Sequence, residues 1–70
     1  MRITYDPSVD ALYIRFEEAQ VTSKHLAEGI TADYDKNGKL AGIEILDAIE
    51  RFGDKSTLKR VTLEEIGLSA

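Results

Sequence analysis

Five residues of the segment 33–44, DYDKNGKLAGIE, have the types and the spacing that chelate calcium. Asp33, Asp35, Asn37, Gly38 and Glu44 match the consensus of an EF-hand loop position for position. In such a loop, side-chain oxygens coordinate the ion, the glycine permits a sharp turn, and the last glutamate binds through both of its carboxylate oxygens. The chemistry that this spacing allows is therefore divalent-metal binding.

The residues around this segment do not provide the helices that an EF-hand requires. A degraded second loop would begin at Asp6, but only five residues precede it, and Ala11 stands where that loop needs glycine. Only fifteen residues separate Glu17 from Asp33, which is barely enough to finish one helix, turn and build another. We therefore predict that residues 33–44 form a turn between two strands, and we assign no metal ligand.

A different metal site is the alternative. The acidic residues that flank the two predicted turns, Asp6 with Asp10 and Asp33 with Asp35, are candidates for a carboxylate site that binds a divalent metal. Turn formation explains the same four residues, because aspartate side chains commonly accept hydrogen bonds from the backbone of a turn.

Catalytic side chains have no obvious partners in this sequence. His25 is the only histidine, cysteine is absent, and no serine lies in a recognisable nucleophile motif. We predict a non-catalytic protein with no catalytic residue and no cofactor. Tyr5, Tyr13 and Tyr34 lie on predicted strands, and tyrosine is favoured at protein interfaces because its ring is apolar and its tip is polar.

Composition points away from nucleic acid and membranes. The net charge is −4 and the isoelectric point is about 4.8, so the chain repels phosphate backbones. No apolar run approaches the roughly 18 residues that span a bilayer, and we expect a cytoplasmic protein. A domain of 70 residues without disulfides is only marginally stable, because its core is small. We therefore expect the chain to gain stability by forming a dimer.

Alternation of apolar and polar residues predicts a small antiparallel sheet. We expect four strands, near residues 2–5, 11–16, 29–35 and 39–46, which form two hairpins. Asn37–Gly38 favours a two-residue type I′ turn, in which both central residues have positive φ. The resulting register places Lys36 opposite Lys39, Tyr34 opposite Ala41, Ala32 opposite Ile43, and Ile30 opposite Ile45; a longer loop is the alternative.

One or two short helices are expected after Asp47, packed on one face of the sheet. Asp47 is the predicted cap, Gly53 the predicted end, and Ser56 the cap of a second helix, while Thr62 and Glu65 form a capping-box pattern. The apolar residues expected to cover the core are Ile49, Phe52, Leu58 and Val61. The segment 17–29 fits neither pattern, since Val21–Thr22 indicates an extended piece and Leu26–Ala27 fits a helical turn equally well. The predicted fold class is α+β, as a single domain over residues 1–70.

Two separated blocks of the sequence resemble a bacterial and archaeal family, the domain of unknown function 2283. The first block is YDPSVDALYI, in which Tyr5, Asp6, Asp10, Leu12, Tyr13 and Ile14 carry the likeness. The second is DYDKNGKLAGIEILDA, in which it is carried by Asp33, Tyr34, Asp35, Gly38, Gly42, Ile43, Glu44, Ile45, Leu46, Asp47 and Ala48. The resemblance covers roughly residues 2–52, leaves out the tail from Gly53, and implies a compact β-rich domain with no established activity.

These observations predict a small non-catalytic protein-interaction module that forms a homodimer. One alternative is an antitoxin-like partner of a small basic toxin, because an acidic protein would cover a basic active surface; some families of such small domains resemble antitoxins of this kind. The other alternative is the divalent-metal site described above. The expected partners are a second copy of the chain and a protein encoded nearby.

Overall fold

The computed structural model describes residues 1–64, which form one antiparallel sheet covered on one face by a short helical segment. The sheet has five strands in the order β1-β2-β5-β4-β3. Its strands are β1 Arg2–Asp6, β2 Ala11–Arg15, β3 Thr22–Ala27, β4 Ile30–Tyr34 and β5 Leu40–Ile45, and they are followed by the helix α1 Ala48–Phe52 and a 3₁₀ helix Lys55–Lys59. The predicted antiparallel sheet with short C-terminal helices is confirmed, but the prediction of four strands is wrong.

The fifth strand is β3, which the sequence left unassigned. It pairs with β4 and forms one edge of the sheet, with Ser23 opposite Asp33 and His25 opposite Thr31. All six of its residues are exposed, so no buried face imposes the alternation by which a strand is recognised. Gly29, with φ of 75°, turns the chain between the two strands.

Strand register separates an apolar face from a polar face. On the apolar face, Leu12 lies opposite Ile45, and Ile14 lies opposite Ile43. On the other face, Tyr13 lies opposite Glu44. Period-two alternation therefore predicted correctly which side of β2 and β5 faces the helical segment.

The β4–β5 hairpin has the predicted pairs at its base but a different turn. Ile30 lies opposite Ile45 and Ala32 opposite Ile43, as predicted, whereas Tyr34 lies opposite Leu40. The prediction of Ala41 opposite Tyr34 is wrong because the register shifts after Asp33. The Ala41 carbonyl instead accepts hydrogen bonds from the amides of Phe16 and Glu17.

The predicted type I′ turn is also wrong. Gly38 has φ of 79°, but Asn37 does not have positive φ. The Gly38 amide donates to the Asp35 carbonyl at 3.0 Å, and the Asp35 amide donates to the Lys39 carbonyl at 2.8 Å. This is a three-residue loop in which a left-handed glycine follows a tight turn, which is the longer loop that was the alternative. Lys39 therefore lies opposite Asp35 and not opposite Lys36.

Helix α1 ends as predicted but begins differently. Gly53, with φ of 78°, donates its amide to the Ile49 carbonyl. Asp47 occupies the position before α1, yet its side chain caps nothing and its φ is 54°. The 3₁₀ helix is capped by Asp54, whose carboxylate accepts from the Ser56 amide, so the prediction of Ser56 as the cap is wrong. Thr62 lies in no helix, and Glu65 of the predicted capping box lies outside the described residues.

The buried core is small. Within residues 1–64 its apolar members are Leu12, Ala32, Ala41 and Ala48, three of which are alanines. The predicted covering residues are less buried than expected, since Phe52 remains 37% exposed and Val61 68% exposed. No helix within residues 1–64 is long and apolar enough to cross a membrane.

Candidate functional site

The polar face of the sheet carries a cluster centred on Asp33, the one polar or charged residue among those described that is buried, at 5% exposure. Its carboxylate accepts the phenol hydrogen of Tyr13 on one oxygen, a short hydrogen bond. The other oxygen accepts the hydroxyl of Ser23 at 2.5 Å. Three strands, β2, β3 and β4, therefore contribute to one hydrogen-bonded group.

Gly42 makes this cluster possible. It lies in β5, between Tyr13 on β2 and Asp33 on β4, and pairs with Asp33 directly. A Cβ atom at Gly42 would lie 2.8 Å from the Tyr13 hydroxyl oxygen and 3.0 Å from the Ile14 carbonyl oxygen. The absence of a side chain in mid-strand thus opens the space in which the phenol reaches across β5.

Arginine side chains extend the cluster towards the edge formed by β1. The Arg15 guanidinium lies 5.1 Å from the centre of the Tyr13 ring and donates to the Tyr13 hydroxyl at 3.4 Å. Glu18 binds both Arg15, at 2.9 Å, and Arg2, at 2.8 Å. The arginine charges are thus partly balanced by an acid of the same chain.

The electrostatics of this cluster favour a fixed, neutral phenol. The hydrogen bond to Asp33 raises the pKa of Tyr13, and burial acts in the same direction. Both Asp33 oxygens are occupied by hydroxyl donors, so the carboxylate is not available as a base without breaking one of those bonds. The arrangement braces three strands and presents no activated nucleophile.

A second cluster joins the β1–β2 loop to the start of α1. The Asp10 carboxylate accepts from the Tyr5 hydroxyl at 2.7 Å and from the Ile49 amide at 3.0 Å. The Asp10 carbonyl accepts from the Ala48 amide at 3.0 Å. Asp10 therefore caps α1 from a distant part of the chain, the role that the sequence assigned to Asp47.

The ionisation of both side chains follows from these contacts. The Ile49 amide, and then the Tyr5 hydroxyl, hold the pKa of Asp10 below its usual value. The hydrogen bond to Asp10 is the main reason why the pKa of Tyr5 is raised to about 12. Asp10 has φ of 52°, a conformation that aspartate adopts more readily than most residues.

The four aspartates of the alternative metal site are not brought together. Asp6 accepts from the amide and hydroxyl of Ser8 within its own loop, and Asp35 accepts from the amides of Asn37 and Lys39 in the β4–β5 turn. Asp10 precedes β2 and the Asp35 turn adjoins the other end of that strand, so the two turns lie at opposite ends of the sheet. Across residues 1–64, no three His, Cys, Asp or Glu side chains form a group suited to a metal ion.

The remaining residues singled out in the sequence are separated as well. Glu44 lies in β5, opposite Tyr13 of β2 and Thr31 of β4. Because Thr31 precedes Asp35 by four residues, Glu44 is well separated from the Asp35 turn. The segment 33–44 is strand, turn and strand, as predicted. His25 is exposed on β3, and Tyr34 is partly buried next to the β4–β5 turn.

The apolar face carries an open groove of about 410 Å³ between the sheet and the C-terminal segment. Its walls are almost entirely apolar: Ile3, Tyr5, Leu12 and Ile14 from the sheet, with Phe52, Thr57, Leu58 and Val61 from the helical segment. Tyr5 and Thr57 are the lining residues with a polar side-chain group, and the Tyr5 hydroxyl already donates to Asp10. The groove is an apolar surface of the sheet that the C-terminal segment covers only in part.

Sequence reasoning missed both clusters, and only the Asp33 cluster leaves a trace in the sequence. Gly42 interrupts an otherwise regular strand, and a glycine in that position often marks a close approach of other atoms. Asp10 lies four residues after Asp6 in a turn, and turn formation alone explains an aspartate there. The sequence therefore does not indicate its hydrogen bond to the Ile49 amide, 39 residues away.

Comparison with known proteins gives a family and no function. No curated protein matches the chain, and no solved structure does. The matching family model covers residues 2–48, which include all five strands, Asp10 and Asp33 but leave out the 3₁₀ helix and all of α1 except Ala48. The chain belongs to the family described as protein of unknown function DUF2283.

Proposed function

We propose that this chain is a non-catalytic protein-interaction module that works as a homodimer. The observation that carries the proposal is the imbalance between its core and its surface. No large side chain among the described residues is fully buried, whereas large apolar side chains such as Ile3, Phe16 and Leu40 are 46%, 37% and 42% exposed.

The exposed area supports the same proposal. The chain exposes 5659 Å², and a monomeric protein of 7.8 kDa is expected to expose about 4400 Å². The difference, about 1300 Å², exceeds the roughly 800 Å² that each partner loses in a specific protein complex, so contact with a second chain would bring the exposed area closer to that of a compact monomer.

The character of the open surfaces favours a protein as the occupant. The groove beside β1 has apolar walls formed by residues such as Ile3, Leu12 and Phe52. Exposed apolar surface of this kind marks contact sites for proteins. The hydroxyls of Tyr5 and Tyr13 donate to Asp10 and Asp33 respectively, where they stabilise the fold.

Sedimentation equilibrium and thermal unfolding at several protein concentrations test this proposal. We expect a dimer at micromolar concentration and a melting temperature that rises with concentration, because association stabilises the folded chain by mass action. A monomer at every concentration, with a constant melting temperature, would contradict the proposal.

A basic protein is the second proposed partner, in the manner of an antitoxin that neutralises a small basic toxin. The net charge of −4 supports it, as do Glu17 and Asp35, which outnumber Lys36 among the charged residues around one shallow pocket at the end of the sheet away from α1. Acidic surface of this kind accelerates association with a basic partner. Co-expression with a basic protein encoded next to the gene tests it: a complex that dissociates in high salt supports the proposal, and purification of the chain alone contradicts it.

A further inference from the structure

The two edges of the sheet differ in how well they are protected against pairing with another strand. Natural sheets protect their edges with lysines, prolines and bulges. β3 has Lys24 in its middle and a bulge between His25 and Ala27. β1 has neither device: it contains no lysine or proline, and its register with β2 is regular from Arg2 to Asp6.

The sequence of β1, RITYD, is complementary to itself when two copies run antiparallel. With Thr4 opposite the second Thr4, Ile3 lies opposite Tyr5 and Arg2 lies opposite Asp6, each pair occurring twice. We propose that two copies of this chain join through β1 in this register, which makes one continuous ten-stranded sheet around a two-fold axis at Thr4. This inference rests on the proposed homodimer and gives it a geometry.

The apolar residues of β1 lie on the side where the groove is open. Ile3 and Tyr5 line the groove together with Leu12 and Val61, and Ile3 is 46% exposed. A two-fold axis perpendicular to the sheet keeps each face on its own side, so the grooves of the two copies become neighbours. The pairing thus covers apolar surface that a single chain leaves in water.

The charged residues of β1 fix the register. Arg2 and Asp6 share a face with Thr4, because alternate residues of a strand lie on the same side. The Arg2 side chain is 62% exposed and binds Glu18 through one nitrogen, and Asp6 uses one oxygen for Ser8, which leaves donors and an acceptor for a second copy. A shift centred on Ile3 places Arg2 opposite Thr4, so both Arg2–Asp6 pairs are lost, and a shift centred on Tyr5 places Ile3 opposite Pro7, which has no amide hydrogen.

Disulfide cross-linking tests the geometry directly, because the chain has no cysteine of its own. Facing residues of antiparallel strands lie about 4.5–5.5 Å apart between Cα atoms, within the range that a disulfide spans. We expect Thr4→Cys to form a covalent dimer on mild oxidation. Lys24→Cys, in the middle of the exposed edge strand β3, is the matched control and is expected to remain uncross-linked.

Charge reversal gives a second, independent measurement. Arg2→Asp places two acids opposite each other at both ends of the pairing, and we expect the dimer dissociation constant to rise by about tenfold or more. The double variant Arg2→Asp with Asp6→Arg restores opposite charges and is expected to recover most of the affinity. Lys36→Asp, in the β4–β5 turn, makes the same change in net charge and is expected to leave the dissociation constant unchanged.

The outcomes separate this inference from the proposed function. Cross-linking by Lys24→Cys instead of Thr4→Cys, or by neither variant while the unmodified protein sediments as a dimer, would overturn the β1 pairing and leave the homodimer standing. Failure of the double reversal to recover affinity, with both variants folded by circular dichroism, would also overturn it. A monomeric unmodified protein would remove the proposed function and the inference together.

Discussion

Tyr13 and Asp33 lie on strands that are not neighbours, and their side chains meet over Gly42 of the strand between them. The contact ties β2 to β4 independently of the backbone ladder. The buried apolar residues in the described part of the chain are Leu12 and three alanines, so this polar contact supplies part of the stability that a larger core would provide. Both Gly42 and Asp33 are therefore expected to be sensitive positions.

Gly42→Ala is expected to destabilise the protein by about 1–3 kcal/mol, the usual cost of forcing an added carbon into a packed site. The φ of Gly42 is not positive, so the cost arises from the Tyr13 hydroxyl and the Ile14 carbonyl that the new Cβ would meet. Because Tyr13→Phe removes the nearest of these atoms, Gly42→Ala is expected to cost less in that background. Urea unfolding of the four proteins of this double-mutant cycle measures the coupling; equal costs in both backgrounds would contradict the assignment.

Asp33→Asn is expected to lower the free energy of unfolding by about 1–3 kcal/mol, because two hydroxyl groups lose a charged acceptor at a buried position. The loss is expected to be the same in millimolar calcium and in a chelator, since Tyr13 and Ser23 occupy the carboxylate. Thermal unfolding under both conditions is the measurement. A loss seen only when calcium is present would instead identify Asp33 as a metal ligand.

The parts of the fold that the sequence predicted are those in which one face is buried. The alternation of Leu12 and Ile14, and the pairs Ile30–Ile45 and Ala32–Ile43, follow from burial and period two. β3 has no buried face, so its existence could not be read from hydrophobicity. The type I′ turn predicted from Asn37–Gly38 is wrong because the Asp35 carboxylate accepts hydrogen bonds from the amides of Asn37 and Lys39. These two hydrogen bonds favour the three-residue loop.

The polar clusters were beyond prediction for a different reason. Tyr13 and Asp33 meet only after the order of the strands is known, and the order β2-β5-β4 is not the order of the sequence. The contact between Asp10 and Ile49 likewise depends on where α1 packs. Spacing along the chain carries information about neighbours within one strand or hairpin, whereas Tyr13 and Asp33 lie in separate hairpins and Ile49 lies in α1.

Asp10 and Asp47 provide a matched pair for testing the helix cap, because both have φ near 50° and only Asp10 caps α1. Asp10→Gly removes the carboxylate without adding backbone strain, and we expect the melting temperature to fall by several degrees because the Ile49 amide and the Tyr5 hydroxyl lose their acceptor. Asp47→Gly is expected to leave the melting temperature unchanged or to raise it, since its side chain caps nothing. Scanning calorimetry of the two variants decides the assignment, and a larger loss for Asp47→Gly would reverse it.

The Asp10–Tyr5 hydrogen bond is expected to shape the pH dependence of stability at both extremes. The pKa of Asp10 is lowered in the folded chain, so its contribution is present above the usual aspartate pKa and is lost as the pH falls through the folded value.

The pKa of Tyr5 is raised from 10.0 to about 12, so the unfolded chain loses this proton first, and stability declines between about pH 10 and 12. Urea midpoints measured across pH in the wild type and in Tyr5→Phe check both effects. Tyr5→Phe is expected to show a smaller alkaline decline and to retain most of the acid dependence, because the Ile49 amide is the larger cause of the Asp10 shift. If stability falls equally between about pH 10 and 12 in both proteins, Tyr5 ionises at its ordinary pKa. The hydrogen bond to Asp10 then contributes nothing to stability in solution.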